Sequence, residues 1–450
     1  MELYTDRNPY ADHLVEVNKH NPVETIADIC NELGATIIPK GTALTEEVAS
    51  KLARFNLLQP LELQVSLSQT LSPVSLHHHI CDIQTQILSM HPDQNFDRAL
   101  SEQCSGLGVF PLLNQKLTVF AERMPDSYHQ TQGVAAFALL IATELGLNAE
   151  SRQVVFVASQ MHEAGLLNIP PELCAQRTAL AEPEQRELDI EQLNRGKKFL
   201  DQVPNLSKRV GRAVLEHRER IDGSGWPRGL TGDRYSIETQ TLALAVFLNE
   251  AMEKRLQPRG YDVPHLLPWV QTEYQSFDPE IYRAIVQVLK KNDQSLYGAL
   301  PHQVLPDLAR YLRILQYTMK HWLGLAADLV KDMQEANGSS HETLQRPAII
   351  LSGLESLCFN AGLWDEHIQT WLASIDIQST HQEMNEVEMV ALMFESMLVK
   401  FKRLNWAIHE CSKTLGREWA VRSERLGMLL YRLPEDHFSA LEYYGFSTKG

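Results

Sequence analysis

The sequence predicts a mainly α-helical protein with a small α+β module at its N-terminus and a helical bundle at its C-terminus. Apolar residues recur at spacings of three and four across most of 113–290 and again across 303–450, the period of a helix buried on one face. Only the stretch around residues 23–70 breaks that rule, with short apolar runs separated by glycine turns. The chain has 450 residues, and single cores rarely grow beyond about 250–300, so several domains are expected. The predicted division is 1–75 for the mixed module, 76–112 for a connecting helix, 113–295 for a helical domain and 303–450 for the bundle.

Within the first module, "ADICNELGATIIPKGTALTEEVASKL" places Gly34 between two apolar runs, the pattern of a hairpin. Thr45 followed by Glu46 and Glu47 then opens a short helix, because a threonine hydroxyl caps exposed N–H groups and acids suit the positive end of the helix dipole. Residues 75–110 read as helical and contain "LHHHI". Three adjacent histidines cannot share one helix face, so a polar helix surface is the better expectation there than a metal site.

From 113 onward the pattern is helix after helix. Val134, Phe137, Ala138, Ile141 and Leu145 share a face that ends at Gly146, a glycine stop. "SRQVVFVASQMHEAGLL" continues as a nearly all-apolar helix, which places His162 and Glu163 inside the protein. A charge there costs several kcal/mol unless paired, hydrogen-bonded or metal-bound. In the last third, Leu308, Leu312, Leu315, Met319, Trp322, Leu329 and Met333 are spaced as a core-facing stripe that closes at "NGSS". Helical stretches near 341–373, 381–414 and 416–432 complete a bundle of about four helices.

A hydrophobic fraction of 44% with 22% charged residues is that of a globular chain. The formal charge of −16 repels phosphate backbones and argues against a nucleic-acid partner. Six scattered cysteines show neither a disulfide framework nor zinc-ribbon spacing and read as thiols in a reducing compartment. The opening "MELYTDRNPYADHLVEV" carries no apolar signal region, and no run of about 18 apolar residues occurs, so a cytoplasmic protein without a membrane partner is expected.

The chemistry gathers in 129–230. "EHRERIDGSGWPRGL" sets acids, arginines and a histidine around three glycines and a proline, a stretch whose backbone angles are tightly prescribed. With it go His129, His162, Glu163 and His217. Imidazole and carboxylate suit iron, manganese or zinc, ions that polarise a phosphodiester and acidify bound water. Taken together with "MHEAGLLNIPPEL" and the run to "FDPEIYRAIVQVL", residues 113–290 resemble the HD-GYP domain, the bacterial cyclic di-GMP phosphodiesterase branch of the HD superfamily. Trp226 stands where that family has tyrosine.

The resemblance implies metal ligation by His129, His162, Glu163 and His217, and ligand contact by Asp222, Gly225, Trp226 and Pro227; Arg218 and Arg255 join these as guanidinium groups suited to a phosphate. It also implies departures. Glu163 occupies an aspartate position, Leu166 replaces a lysine, and Gln192, Arg218 and Val246 stand at ligand positions without being ligands. Arg218 would face a divalent ion about 5 Å away at a cost of several kcal/mol. The expectation is therefore a degenerate site, with no catalytic residue assigned and at most one divalent iron, manganese or zinc ion. Such a chain would act as a cyclic di-GMP-related binding module, with the bundle meeting a protein partner and a homodimer left open. The alternative expectation is an active metal-dependent cyclic di-GMP phosphodiesterase. Two bland readings stand beside these: Asp222 capping a turn, and the arginines pairing only with Glu216, Glu219 and Asp222.

Overall fold

The computed structural model describes residues 8–87, 94–177, 182–232, 235–290, 300–338, 342–434, 436–437 and 439–440. The chain forms two compact units, one of Met1–His217 with Ser236–Asn249 and one of Arg218–Tyr235 with Glu250–Gly450. The first unit thus resumes at Ser236, after residues 218–235, which belong to the second. Among the described residues no helix is long and apolar enough to cross a membrane.

In the first unit, α1 (Pro9–Asn18) is capped by Asn8 and precedes two small antiparallel sheets. Strand β1 (Val23–Thr25) pairs with β4 (Val65–Leu67), and β2 (Ile29–Cys30) with β3 (Thr36–Ile38). The β2–β3 turn carries Gly34 at φ +81°, in the left-handed region that a hairpin turn needs and glycine adopts without strain. Thr45 caps α2 (Glu46–Leu52) as its sequence predicts, accepting from the Val48 N–H. The helical stretch read at 75–110 is two helices, α3 (Pro73–Ile87) and α4 (Gln94–Gly108). Then come α5 (Pro111–Arg123), α6 (Pro125–Glu144) and α7 (Ala149–Met161). Gly146 ends α6 at φ +64°.

The run "SRQVVFVASQMHEAGLL" is not one helix. α7 stops at Met161, and Ala164–Asn168 form a 3-10 turn on which α9 (Glu182–Leu200) packs. The approach is so close that a Cβ on Gly165 would lie 2.0 Å from the Gln192 carbonyl oxygen. The short α8 (Pro171–Gln176) lies between them in sequence. α10 (Lys208–Glu216) is capped by Ser207 and ends at His217, and α11 (Ile237–Ala251) follows the loop.

The second unit contains α12 (Leu267–Thr272), α13 (Pro279–Lys290), α14 (Leu305–Asn337), α15 (Glu342–Asn360), α16 (Glu366–Ser374), α17 (His381–Leu415) and α18 (Arg417–Tyr431). The predicted stripe from Leu308 to Met333 is buried in its core, where the Trp322 indole N–H donates to the Leu426 carbonyl at 3.0 Å. The stretch read as 341–373 is interrupted: α15 ends at Asn360, Gly362 turns at φ +65°, and Asp365 caps α16. A capping box of Thr380 and Glu383 starts α17. The region after residue 303 therefore holds five described helices instead of about four.

Candidate functional site

His162 and His217 each terminate a helix. At the end of α7 the His162 ring turns back so that Nδ1 lies 2.7 Å from the Ser159 carbonyl. At the end of α10, His217 repeats the device with Nδ1 2.8 Å from the Val214 carbonyl. A carbonyl only accepts, so Nδ1 carries the hydrogen and Nε2 holds the lone pair of the neutral ring, the tautomer used by metal-binding histidines. The two rings meet edge to face at 5.2 Å, and both are buried, 3% and 0% exposed. The sequence reading put these groups on helix bodies; the structure puts them at helix ends, where the backbone carbonyls needed to orient them sit.

The other predicted ligands are placed differently. Glu163 is buried beside His162, and its carboxylate lies 3.4 Å from the Arg177 guanidinium, which also holds Asp189 at 2.7 Å. His129 lies on the exposed first turns of α6. Gln192 donates its amide to the His162 carbonyl at 3.4 Å, and Leu166 and Val246 are buried apolar residues. Among the described residues, no three donors drawn from His129, His162, Glu163 and His217 lie within 4.8 Å of one another.

The loop belongs to the second unit and is built from within by Glu219. Its carboxylate accepts the backbone N–H of Arg228 at 2.6 Å and of Leu230 at 3.2 Å. Burial pushes this carboxyl above its usual range even though those N–H groups oppose the shift. Asp222 accepts from the Ser224 N–H at 2.9 Å and from the Ser276 hydroxyl at 2.7 Å, so it caps the turn. The Trp226–Pro227 peptide bond is cis, and the Trp226 N–H donates to the Arg218 carbonyl at 3.1 Å.

Two bundle residues hold the loop from outside. Arg346 of α15 donates to the Gly223 carbonyl at 3.1 Å and to the Gly225 carbonyl, and its guanidinium lies 4.7 Å from the centre of the Trp406 ring. Lys400 of α17 reaches the Ser276 hydroxyl at 2.6 Å, Glu273 at 3.2 Å and Asp222 at 3.7 Å. Burial alone would raise the Glu273 carboxyl, but Arg403, Lys400 and Arg220 together hold it well below the carboxylate range. Sequence reasoning missed Glu219 as the organiser of the loop, having treated it only as an arginine's neighbour. It missed Arg346 and Lys400 because more than a hundred residues separate them from the loop and no motif marks them.

The arginines are dispersed. Arg218 makes a two-pronged pair with Glu250 at 2.8 and 2.9 Å and lies 5.8 Å from the Trp226 ring centre. Arg220 is buried against Phe277, and Arg255 lies 5.7 Å from the centre of the Trp269 ring. Pairing with acids and stacking on rings accounts for these contacts without a phosphate.

Gly225 is the tightest point of the loop. A Cβ there would lie 2.3 Å from the Arg220 nitrogen and 2.3 Å from the Glu219 Cα, both backbone atoms that cannot swing aside. Gly225→Ala should therefore destabilise the second unit by about 3 kcal/mol or more. A urea titration followed by tryptophan fluorescence checks this, and a variant as stable as the parent would show that the loop relaxes freely.

Residues 113–281 match the HD domain family. The cyclic di-GMP phosphodiesterase PdeB of Borreliella burgdorferi is 24% identical over 174 residues, 37% of this chain and 44% of that protein. The cyclic di-GMP phosphodiesterase response regulator RpfG of Xanthomonas campestris is 27% identical over 150 residues, 33% of this chain and 39% of its own. The 3'3'-cGAMP-specific phosphodiesterase 1 of Vibrio cholerae is 30% identical over 119 residues, 26% and 27% of the two chains. This chain spans less than half the length of each of these relatives. Over residues 113–281, where the histidine-and-carboxylate helix end and the glycine–tryptophan–proline loop fall, the chain carries an HD domain similar to the cyclic di-GMP phosphodiesterases named above.

Proposed function

We propose that the chain binds a cyclic dinucleotide of the cyclic di-GMP class without turning it over efficiently, and that its C-terminal helices meet a protein partner. Residues 113–295 would be the degenerate HD-GYP domain, and 303–450 the partner-facing bundle. The observation that carries this reading is the donor set. His162 and His217 meet ring to ring, Glu163 is engaged by Arg177, Gln192 offers only a neutral amide oxygen, and Arg218 and Val246 bring no metal-binding atom. These residues do not fit a binuclear centre, which needs several donors for each ion. At most a single ion, on donors drawn from His129, His162, Glu163 and His217, belongs to this reading.

The loop supports binding. Its backbone is fixed by Glu219, Asp222 and Arg346, and half-buried Trp226, with the Arg218 guanidinium 5.8 Å from its ring centre, supplies an indole of the kind that stacks on purines. Relatives with phosphodiesterase names act on cyclic di-GMP or on 3'3'-cGAMP, so both nucleotides belong in the test.

Calorimetric titration with each nucleotide, with and without manganese, followed by chromatography for the linear product, decides the matter. Binding without product is expected, and Trp226→Ala should weaken it about tenfold or more. Manganese-dependent linear product that disappears in His162→Ala would overturn the reading in favour of an active phosphodiesterase. Absence of binding by either nucleotide would overturn it in favour of a protein-interaction role alone.

A further inference from the structure

The three histidines of "LHHHI" point in different directions, as adjacent residues of one helix must. His78 is exposed, His79 bonds the Tyr128 hydroxyl at 2.9 Å, and His77 turns toward α4. His77 and Cys81 stand four apart on α3 and so share a face, with Cys81 Sγ 3.8 Å from His77 Nδ1. From the start of α4, Asp97 brings Oδ1 to 2.9 Å from His77 Nε2. One imidazole nitrogen, the thiol sulfur and one carboxylate oxygen all lie within 4.8 Å of one another, the only such set of three among the described residues.

We infer that His77, Cys81 and Asp97 form a binding site for a borderline divalent cation of the zinc type. Bonds of about 2.0–2.3 Å in a tetrahedron put neighbouring donors roughly 3.3–3.8 Å apart, so small side-chain rotations bring this set to one ion. Thiolate, imidazole and carboxylate together select zinc or cobalt over magnesium or calcium, which prefer oxygen alone. The Asp97 side chain is 57% exposed and that of His77 21%, so an ion can enter from solvent and keep water as its fourth ligand. Two neighbouring helices would be tied together by it. The site lies outside residues 113–281 and shares no residue with the histidine pair described above.

The probe is cobalt(II), added to the full chain under a non-coordinating reductant, because a cobalt–thiolate bond gives a near-ultraviolet charge-transfer band that imidazole and carboxylate ligands do not. One equivalent should generate the band, and zinc should abolish it. Cys81→Ser should remove it with the helical circular dichroism unchanged, and Asp97→Asn, at an exposed position, should weaken cobalt binding about tenfold or more. A chain that develops no thiolate band, or a band that persists in Cys81→Ser, would overturn the assignment, leaving the His77–Asp97 contact as a plain helix-to-helix hydrogen bond. The band requires a thiolate, so ions taken up by His162 and His217 do not contribute to it.

Discussion

Lys116→Met should cost the first unit about 3–5 kcal/mol, the usual penalty for removing one member of a buried ion pair. The Lys116 ammonium is 1% exposed, lies 2.9 Å from Glu62 Oε1 and 2.8 Å from Asn168 Oδ1, and sits 4.0 Å above the Tyr10 ring. Burial alone would push the Glu62 carboxyl up, but the Lys116 charge and the Asn168 amide bring it below its ordinary range. Removing the lysine leaves a buried carboxylate held by the Asn168 amide and the Glu62 backbone N–H. The double variant Lys116→Met with Glu62→Met should recover most of the loss, because two apolar chains need no partner. Urea unfolding of the single and double variants measures both steps. A single variant within about 1 kcal/mol of the parent would mean that the carboxylate takes a proton or water instead. Asn168 closes the turn that begins just after Glu163, so this pair also fixes the helix end bearing His162.

Acid should weaken the second unit through Glu395. This carboxylate is 2% exposed, grips Arg259 at 2.8 and 2.9 Å and meets the His437 ring at 2.5 Å. Burial raises its carboxyl, but His437 and Arg259 outweigh that and pull it from 4.5 down to about 2. A group whose folded pKa is depressed stabilises fully above its unfolded value and loses that contribution as pH falls toward the folded one. The stabilisation, on the order of 3 kcal/mol at neutral pH, is thus present above pH 4.5 and declines between 4.5 and 2. Glu395→Gln should lower neutral stability by a similar amount and flatten the acid limb by about 1.4 kcal/mol per pH unit in that window. Denaturant titrations at pH 7 and at several values below 4.5 give both numbers. Parallel acid limbs for parent and variant would show that other carboxylates control the response.

Much of the fold was legible because the signals were local. Thr45 marked a helix start, Gly34 a hairpin turn, Gly146 a helix stop and the Leu308–Met333 stripe a buried face, and each is read within a single element. Where the reading slipped, the deciding force came from elsewhere in the chain. Nothing around Met161 announces that α7 stops there, since the apolar run continues; α9 packing on Gly165 accompanies the 3-10 turn instead. The break at Gly362 was hidden in a stretch apolar enough to pass as one helix. For the site, the motif located the histidines but not their tautomer, which depends on carbonyls freed at helix ends. It located the loop but not Arg346 or Lys400, whose roles arise only from tertiary packing.

That two bundle side chains grip the loop carries a practical lesson for anyone trimming this protein. A fragment ending at Leu300 would keep every signature residue of the matched stretch while discarding Arg346 and Lys400, and with them the outer anchors of Gly223, Gly225 and Asp222. Assays on such a truncation would report on a slackened loop, and a negative binding result from it would say more about the missing scaffold than about the intact chain.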